Sequence, residues 1–374
     1  MPPPSDSEFE ALRQPFPFGQ RVLRNRIVMA PMTRNASPGG IPGDAVARYY
    51  ARRAAGGTGL LITEGTYIDH PAANGYRNVP AFYGPALDGW RRVVDQVHAE
   101  GALIVPQLWH VGGARRRGME PVPEVPGMGP VSVFENGELV IQGMSQADID
   151  LVVAAYAKAA VAAKEAGFDG VEIHAAHGYL IDQFLWAGSN PRTDGYGGSL
   201  ANRTRFAAEV VAAMRQAVGA DFPVIFRFSQ WKVSDYAARI AADADELGRI
   251  LNPLAAAGVD IFHASTRRFW EPAFDGSTET LAACTRRVTG KPVIAVGSVG
   301  LTRQFELRVR NRSNELAESS SDLAPLLAGL ARGEFDLVAV GRAMLADAEW
   351  ASKVLSGRAA EVTPLTDAAL KELQ

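Results

Sequence analysis

The chain has 374 residues, 47% of them hydrophobic, enough to bury one large core. Its formal net charge is only −3, with 38 Lys and Arg against 41 Asp and Glu, which disfavours a nucleic-acid binder, normally marked by a basic face. One cysteine, Cys284, excludes a disulfide framework or a thiolate cluster built within the chain; with a polar, Pro-rich N-terminal stretch and no long apolar run, it predicts a cytoplasmic protein without a membrane partner.

Short β-branched runs alternate with Ala-rich amphipathic stretches, the pattern of βαβ units. A predicted strand at 26–31 leads to a helix at 44–55, and a strand at 59–63 to a helix at 87–100. Strands at 102–108 and 170–174 bracket a helix at 148–166. Its start is marked by Ser145-Gln146-Ala147-Asp148, a capping box, and its end by Gly167. Then follow a helix at 203–218, a strand at 223–228, a helix at 237–257, a strand at 260–264 and a helix at 281–289. Strands at 292–297 and 336–341 precede helices at 322–332 and 348–355. Eight strands with their helices predict a single-domain α/β fold, a (β/α)8 TIM barrel over 21–360, with an N-terminal extension at 1–20 and a tail at 361–374. An open doubly wound sheet would normally carry G-x-G-x-x-G after an early strand, and no such turn is present there.

Long Gly/Pro-rich or charged loops at 71–85, 112–142, 267–277 and 303–321 follow strand ends, the face on which barrels carry their active sites. Asn136-Gly137 inside the second suggests a small hairpin. The chemistry concentrates in Glu172-Ile173-His174-Ala175-Ala176-His177-Gly178-Tyr179, where two imidazoles and a phenol gather at one strand end. Neutral histidines can each donate an N–H to one oxygen and polarise it, and a phenol can deliver a proton. From spacing alone the trio also fits a structural cluster or a pair of metal ligands. Glycine turns after the seventh and eighth strands, Gly297-Ser298 and Gly341-Arg342, suit a phosphate cradle. They also suit ordinary turns.

With these stretches in hand, the sequence resembles the Old Yellow Enzyme family of FMN-dependent ene-reductases, from about Arg26 to Trp350. The resemblance is carried by Arg26-Ile27-Val28-Met29-Ala30-Pro31-Met32-Thr33-Arg34, Ile62-Thr63-Glu64-Gly65-Thr66, Gln107-Leu108-Trp109-His110, the Glu172 to Tyr179 stretch, Asp182-Gln183-Phe184-Leu185, the stretch from Arg192 to Phe206, and Val340-Gly341-Arg342. It implies noncovalent FMN with NAD(P)H as reductant and a small enone or enal as substrate. By the same resemblance His174 and His177 hold the substrate oxygen and Tyr179 delivers a proton to Cα. Thr33 tunes the flavin, and Pro31, Met32 and Gly65 contact its ring. Gln107 and Arg227 meet the pyrimidine edge, while Gly297, Ser298, Gly341 and Arg342 hold the phosphate. No metal is implied, and the assembly is a monomer or homodimer.

Trp109, Phe269 and Trp270, placed just after the third and sixth strands, are expected to line the substrate pocket. The sequence departs from the family at His110-Val111-Gly112-Gly113, at Ser298, where glycine or asparagine is common, and at the polar 303–321 segment. Relatives with an iron–sulfur site are disfavoured by the single cysteine. The remaining alternatives are a non-catalytic flavin-binding barrel, a flavoenzyme for nitro or dienone substrates, and a metal-dependent hydrolase, which lacks an evident third ligand.

Overall fold

Eight parallel strands close on themselves in sequence order, each pairing with its neighbours and the last with the first. They are β1 (Ile27–Met29), β2 (Leu60–Tyr67), β3 (Leu103–Trp109), β4 (Val171–His177), β5 (Val224–Lys232), β6 (Ile261–Ser265), β7 (Val293–Val296) and β8 (Leu337–Val340). The computed structural model describes residues 6–302, 320 and 322–373. The 303–321 segment singled out in the sequence lies outside these residues except for Ser320. Among the described residues no helix is long and apolar enough to cross a membrane.

The strands are apolar on both faces because both are covered: outward side chains such as Ile104, Phe226 and Phe262 pack under the helices, and inward ones fill the barrel. Along each strand the inward positions alternate by two. Leu103 and Val105, Ile225, Ile261, Ile294 and Leu337 join one interior apolar cluster toward the strand starts. The same inward rows continue as Gln107, Arg227, His263 and Ser265 toward the strand ends. The barrel interior therefore changes from hydrocarbon to polar from one end to the other.

A hairpin of Phe16–Phe18 with Arg21–Leu23 contributes Phe16, Phe18 and Leu23 to the interior cluster. Its turn residue Gly19 has φ 58°, and a Cβ there would lie 2.6 Å from Asp221 O, just before β5. Residues within the expected N-terminal extension thus complete the barrel core at its strand-start end.

The helices Asp44–Ala55 and Leu281–Thr289 have the expected bounds, and Ala86–Ala99, Gln146–Glu165 and Leu200–Val218 lie within a turn of expectation. The Ser145 capping box forms, with Asp148 as its reciprocal partner. The helix expected over 237–257 starts only at Ala244. Gln230 binds the preceding turns instead: its Oε1 accepts from Ile240 and Ala241 N–H and its Nε2 donates to Ala241 O, and Asp243 then caps the helix. The Asn136-Gly137 hairpin is present, joining Val133–Glu135 to Glu138–Gly143, with both turn residues at positive φ.

Candidate active site

A cavity of about 430 Å³ opens at the strand ends. β4 runs three residues past its expected end, to His177. His174 faces inward by the strand's alternation, and His177 reaches the same cavity because its backbone takes φ 66°, a conformation uncommon outside glycine. The turn is braced from behind. His177 N–H donates to Ser229 Oγ (2.9 Å) and Gly178 N–H to Asp182 Oδ2 (2.6 Å). Asp182 in turn pairs with Lys232 Nζ at 2.7 Å, both side chains fully buried. Removing either partner would strand a buried charge, at a cost of about 3–5 kcal/mol.

The His174 and His177 ring centroids lie 5.1 Å apart at 89°. Tyr179 stands 5.0 Å from His174, and Trp109 stacks on His174 at 5.8 Å while meeting Tyr179 edge-on at 4.8 Å. Burial holds both imidazoles well below the usual histidine range, reinforced by the nearby Arg227 guanidinium. Each is therefore a neutral ring with one N–H to donate at neutral pH. His174 Nδ1 is buried without a hydrogen-bond partner, while His177 Nε2 meets Ser265 Oγ at 2.8 Å. Burial, and then Tyr76, pushes the Tyr179 phenol well above its ordinary value, so it keeps its proton at neutral pH.

The remaining cavity walls come from the residues expected to meet the flavin: Pro31, Met32, Thr33, Gly65, Gln107, Arg227, Gly297, Ser298, Gly341 and Arg342 all line it, as does Trp109. Arg227 is buried, donates to Ser265 Oγ at 3.3 Å and leaves its Nε without a partner. The glycines have different reasons to be there. A Cβ at Gly65 would strike the Trp109 ring at 2.5 Å, and one at Gly297 would meet Thr266 Oγ1 at 2.6 Å. At Gly341 the nearest atom would be Met32 Sδ at 3.5 Å, so the missing side chain keeps backbone open to the cavity. Ser298 has φ 53°, which explains why glycine or asparagine suits the position; its Oγ donates to Arg267 O at 2.9 Å.

Behind the 31–35 loop, the fully buried Glu64 accepts N–H bonds from Arg34 (2.8 Å) and Asn35 (3.3 Å), and burial raises its carboxyl to about 7. The Arg34 guanidinium donates to the carbonyls of Ala369, Leu370 and Glu372 at the end of the helix Asp367–Lys371, and Leu370 lines the cavity.

One expectation differs from the structure. Phe269 and Trp270 do not line this cavity: Phe269 is buried against Phe335, and both border a separate cavity of about 190 Å³ beside Ser298. The Phe269 N–H donates to Gly297 O at 3.2 Å. Three contributors went unnoticed in the sequence. Trp231 tilts over His177 at 4.4 Å, because β5 continues four residues past Phe228. Ser265 ends the inward row of β6 and touches both His177 and Arg227. Tyr76 stacks on Trp109 at 5.3 Å and brings its hydroxyl to 3.2 Å from that of Tyr179, from a loop with no periodic signal.

The sequence model of the NADH:flavin oxidoreductase / NADH oxidase family matches residues 11–320. The chain is 44% identical over 239 residues to 12-oxophytodienoate reductase 7 of Oryza sativa subsp. japonica, covering 59% of each chain. It is 34% identical over 362 residues to the NADH oxidase of Thermoanaerobacter brockii, covering 92% of this chain and 50% of that one. The match thus spans 59% and 50% of the length of these two relatives. Among solved structures, morphinone reductase in complex with tetrahydroNAD superposes with a TM-score of 0.79 at 28% identity, over 96% of this chain and 93% of the other.

Proposed function

The chain belongs to the NADH:flavin oxidoreductase / NADH oxidase family, the Old Yellow Enzyme family, and from that premise we propose that it reduces the C=C bond of α,β-unsaturated carbonyl compounds. Membership brings FMN as the cofactor and a reduced nicotinamide as the reductant. The residues present fit FMN. Gln107 and the partly unsatisfied Arg227 are polar groups at the cavity floor, Gly341 leaves the backbone open to it, and Arg342 adds a cation. Arg342 and the Gly297-Ser298 turn would hold the phosphate, and Pro31, Met32, Thr33 and Gly65 would border the ring. Bound FMN would supply the two-electron redox chemistry between a reduced nicotinamide and the substrate's C=C bond.

The observation that carries the proposal is the pair of neutral imidazoles, His174 buried and His177 half-buried, 5.1 Å apart with a protonated phenol beside them. Two N–H donors converging on one carbonyl oxygen withdraw charge from the conjugated double bond and stabilise the oxyanion that forms as hydride arrives. Tyr179 stands ready to protonate the α-carbon. Trp109 and Trp231 give the flat substrate apolar walls and displace water. A non-catalytic flavin carrier needs none of these three residues.

The test is anaerobic reduction of the purified yellow protein with NADPH or NADH, followed by rapid mixing with cyclohexenone. Reoxidation that yields cyclohexanone supports the proposal. Reoxidation only by oxygen or by nitro compounds would overturn it.

A further inference from the structure

Beneath the cavity floor two buried polar residues with no role so far, Glu172 and His263, join Gln107. Glu172 on β4 is fully buried. One of its oxygens accepts from Gln107 Nε2 at 2.8 Å, and the other meets His263 Nδ1 at 2.5 Å. The three residues come from β3, β4 and β6, and Glu172 and Gln107 are register partners. Arg227, on β5 between β4 and β6, is the register partner of both His174 and His263.

Chemistry decides how the amide of Gln107 is turned. A carboxylate accepts hydrogen bonds and does not donate them, so it must face the amide NH2. The amide oxygen, with no hydrogen bond among the described residues, is then left for the cavity that Gln107 lines. His263 donates from Nδ1 to the second carboxylate oxygen and so holds the carboxylate plane. Without Glu172 the amide could flip, because its two ends are nearly the same size.

We infer that Glu172 is a positioning residue for the cofactor: it locks Gln107 so that an acceptor, and not a donor, meets the cofactor's pyrimidine edge. The inference rests on the FMN reading above. The imide N–H of a flavin is a donor flanked by carbonyl oxygens, and it needs an acceptor opposite. Arg227 supplies the donors that the adjoining oxygen and N1 need. The Glu172 carboxyl also lies close enough to Arg227 to offset part of that cation's pull on electrons, so losing its charge would favour reduction of the cofactor.

The test uses the holoenzyme and the near-isosteric variant E172Q, whose new amide can offer Gln107 either end. FMN release on dilution, read by the fluorescence of the free flavin, should show a dissociation constant raised by about tenfold, the worth of one satisfied hydrogen bond. In a Gln107→Ala background the same change should have less than about a twofold effect, because Glu172 acts through Gln107. The midpoint potential should become more positive by about tenfold in the two-electron equilibrium, about 30 mV. A role confined to filling the core would move neither quantity. An unchanged dissociation constant and potential in E172Q, or an undiminished effect in the Gln107→Ala background, overturns the inference alone. Should E172Q fail to fold, the wild type decides: with 15N-labelled FMN exchanged in, the imide proton should be protected from solvent, and rapid exchange overturns the inference. A wild-type protein that retains no FMN overturns the cofactor reading and this inference together.

Discussion

The two ends of the barrel interior are built by the same rule and serve opposite purposes. Toward the strand starts the inward positions are Leu103, Val105, Ile225, Ile261 and Leu337, closed off by Phe16 and Phe18. Two residues further along the same rows stand Gln107, Arg227 and His263. The lower end gains from every methylene it buries, about 25 cal/mol per Å² of apolar surface. The upper end holds an arginine and several histidines out of water, with Arg227 Nε, His174 Nδ1 and His263 Nε2 buried without partners. Each such atom costs about 1–3 kcal/mol, so the lower end must stabilise what the upper end keeps poised for a ligand.

That contrast can be broken at either end. The largest effect is expected at the top: Tyr179→Phe should slow enone reduction about 10²–10⁴-fold, the usual share of one general acid, while leaving reduction by NADPH nearly unchanged. Rapid-mixing traces of the two half-reactions measure both, and equal slowing would remove Tyr179 from the proton-donor role. At the bottom, Phe18→Ala should destabilise the fold by about 3–5 kcal/mol in a urea melt without changing turnover at low temperature. Loss of FMN affinity in that variant would show the two ends to be coupled. Arg342→Ala should lower FMN affinity by about 1.5–3 kcal/mol, read as flavin content after dialysis, since it removes a cation from the phosphate.

A subtler distinction concerns pH. Both site histidines have folded values well below the ordinary 6.5. Below about pH 6.5 the unfolded chain binds their protons and the folded chain does not. Stability from this source is therefore present above pH 6.5 and is lost as pH falls toward the folded values. Denaturant melts between pH 8 and 5 should show a steeper acid-side loss in the wild type than in the His174→Asn/His177→Asn variant; equal slopes would contradict burial of neutral rings. The smallest effect is expected outside both ends. Trp270 is 41% exposed and borders only the separate cavity, so Trp270→Ala should change relative enone rates by less than about twofold, within the range of ordinary surface changes.

Sequence legibility divides along the same line. The eight strands could be read because parallel strands covered on both faces are near-continuous apolar runs, and each appears where such a run occurs. The residues expected to meet the flavin were named through family resemblance, and the structure gathers them around one cavity. The parts that escaped depend on irregular backbone. Ala175-Ala176-His177 has no strand signature, yet β4 includes it, and the left-handed His177 is invisible to any periodicity. The 237–243 stretch has helical composition, but one side chain, Gln230, captures its backbone. Tyr76 and the place of Phe269 and Trp270 beside the separate cavity depend on loop paths that composition does not encode. Short helices such as Leu180–Leu185 and Arg342–Ala346 are too brief to show a period.

The grip of Arg34 on the carbonyls at the end of the Asp367–Lys371 helix has a thermodynamic corollary. The same loop contributes Pro31, Met32 and Thr33 to the cavity wall, and the helix contributes Leu370. A ligand that orders one must help to order the other, and by reciprocity anything that docks the helix must tighten the ligand. Digestion of the C-terminal residues by carboxypeptidase should therefore slow as the cavity fills, so that proteolytic lifetime becomes a gauge of occupancy.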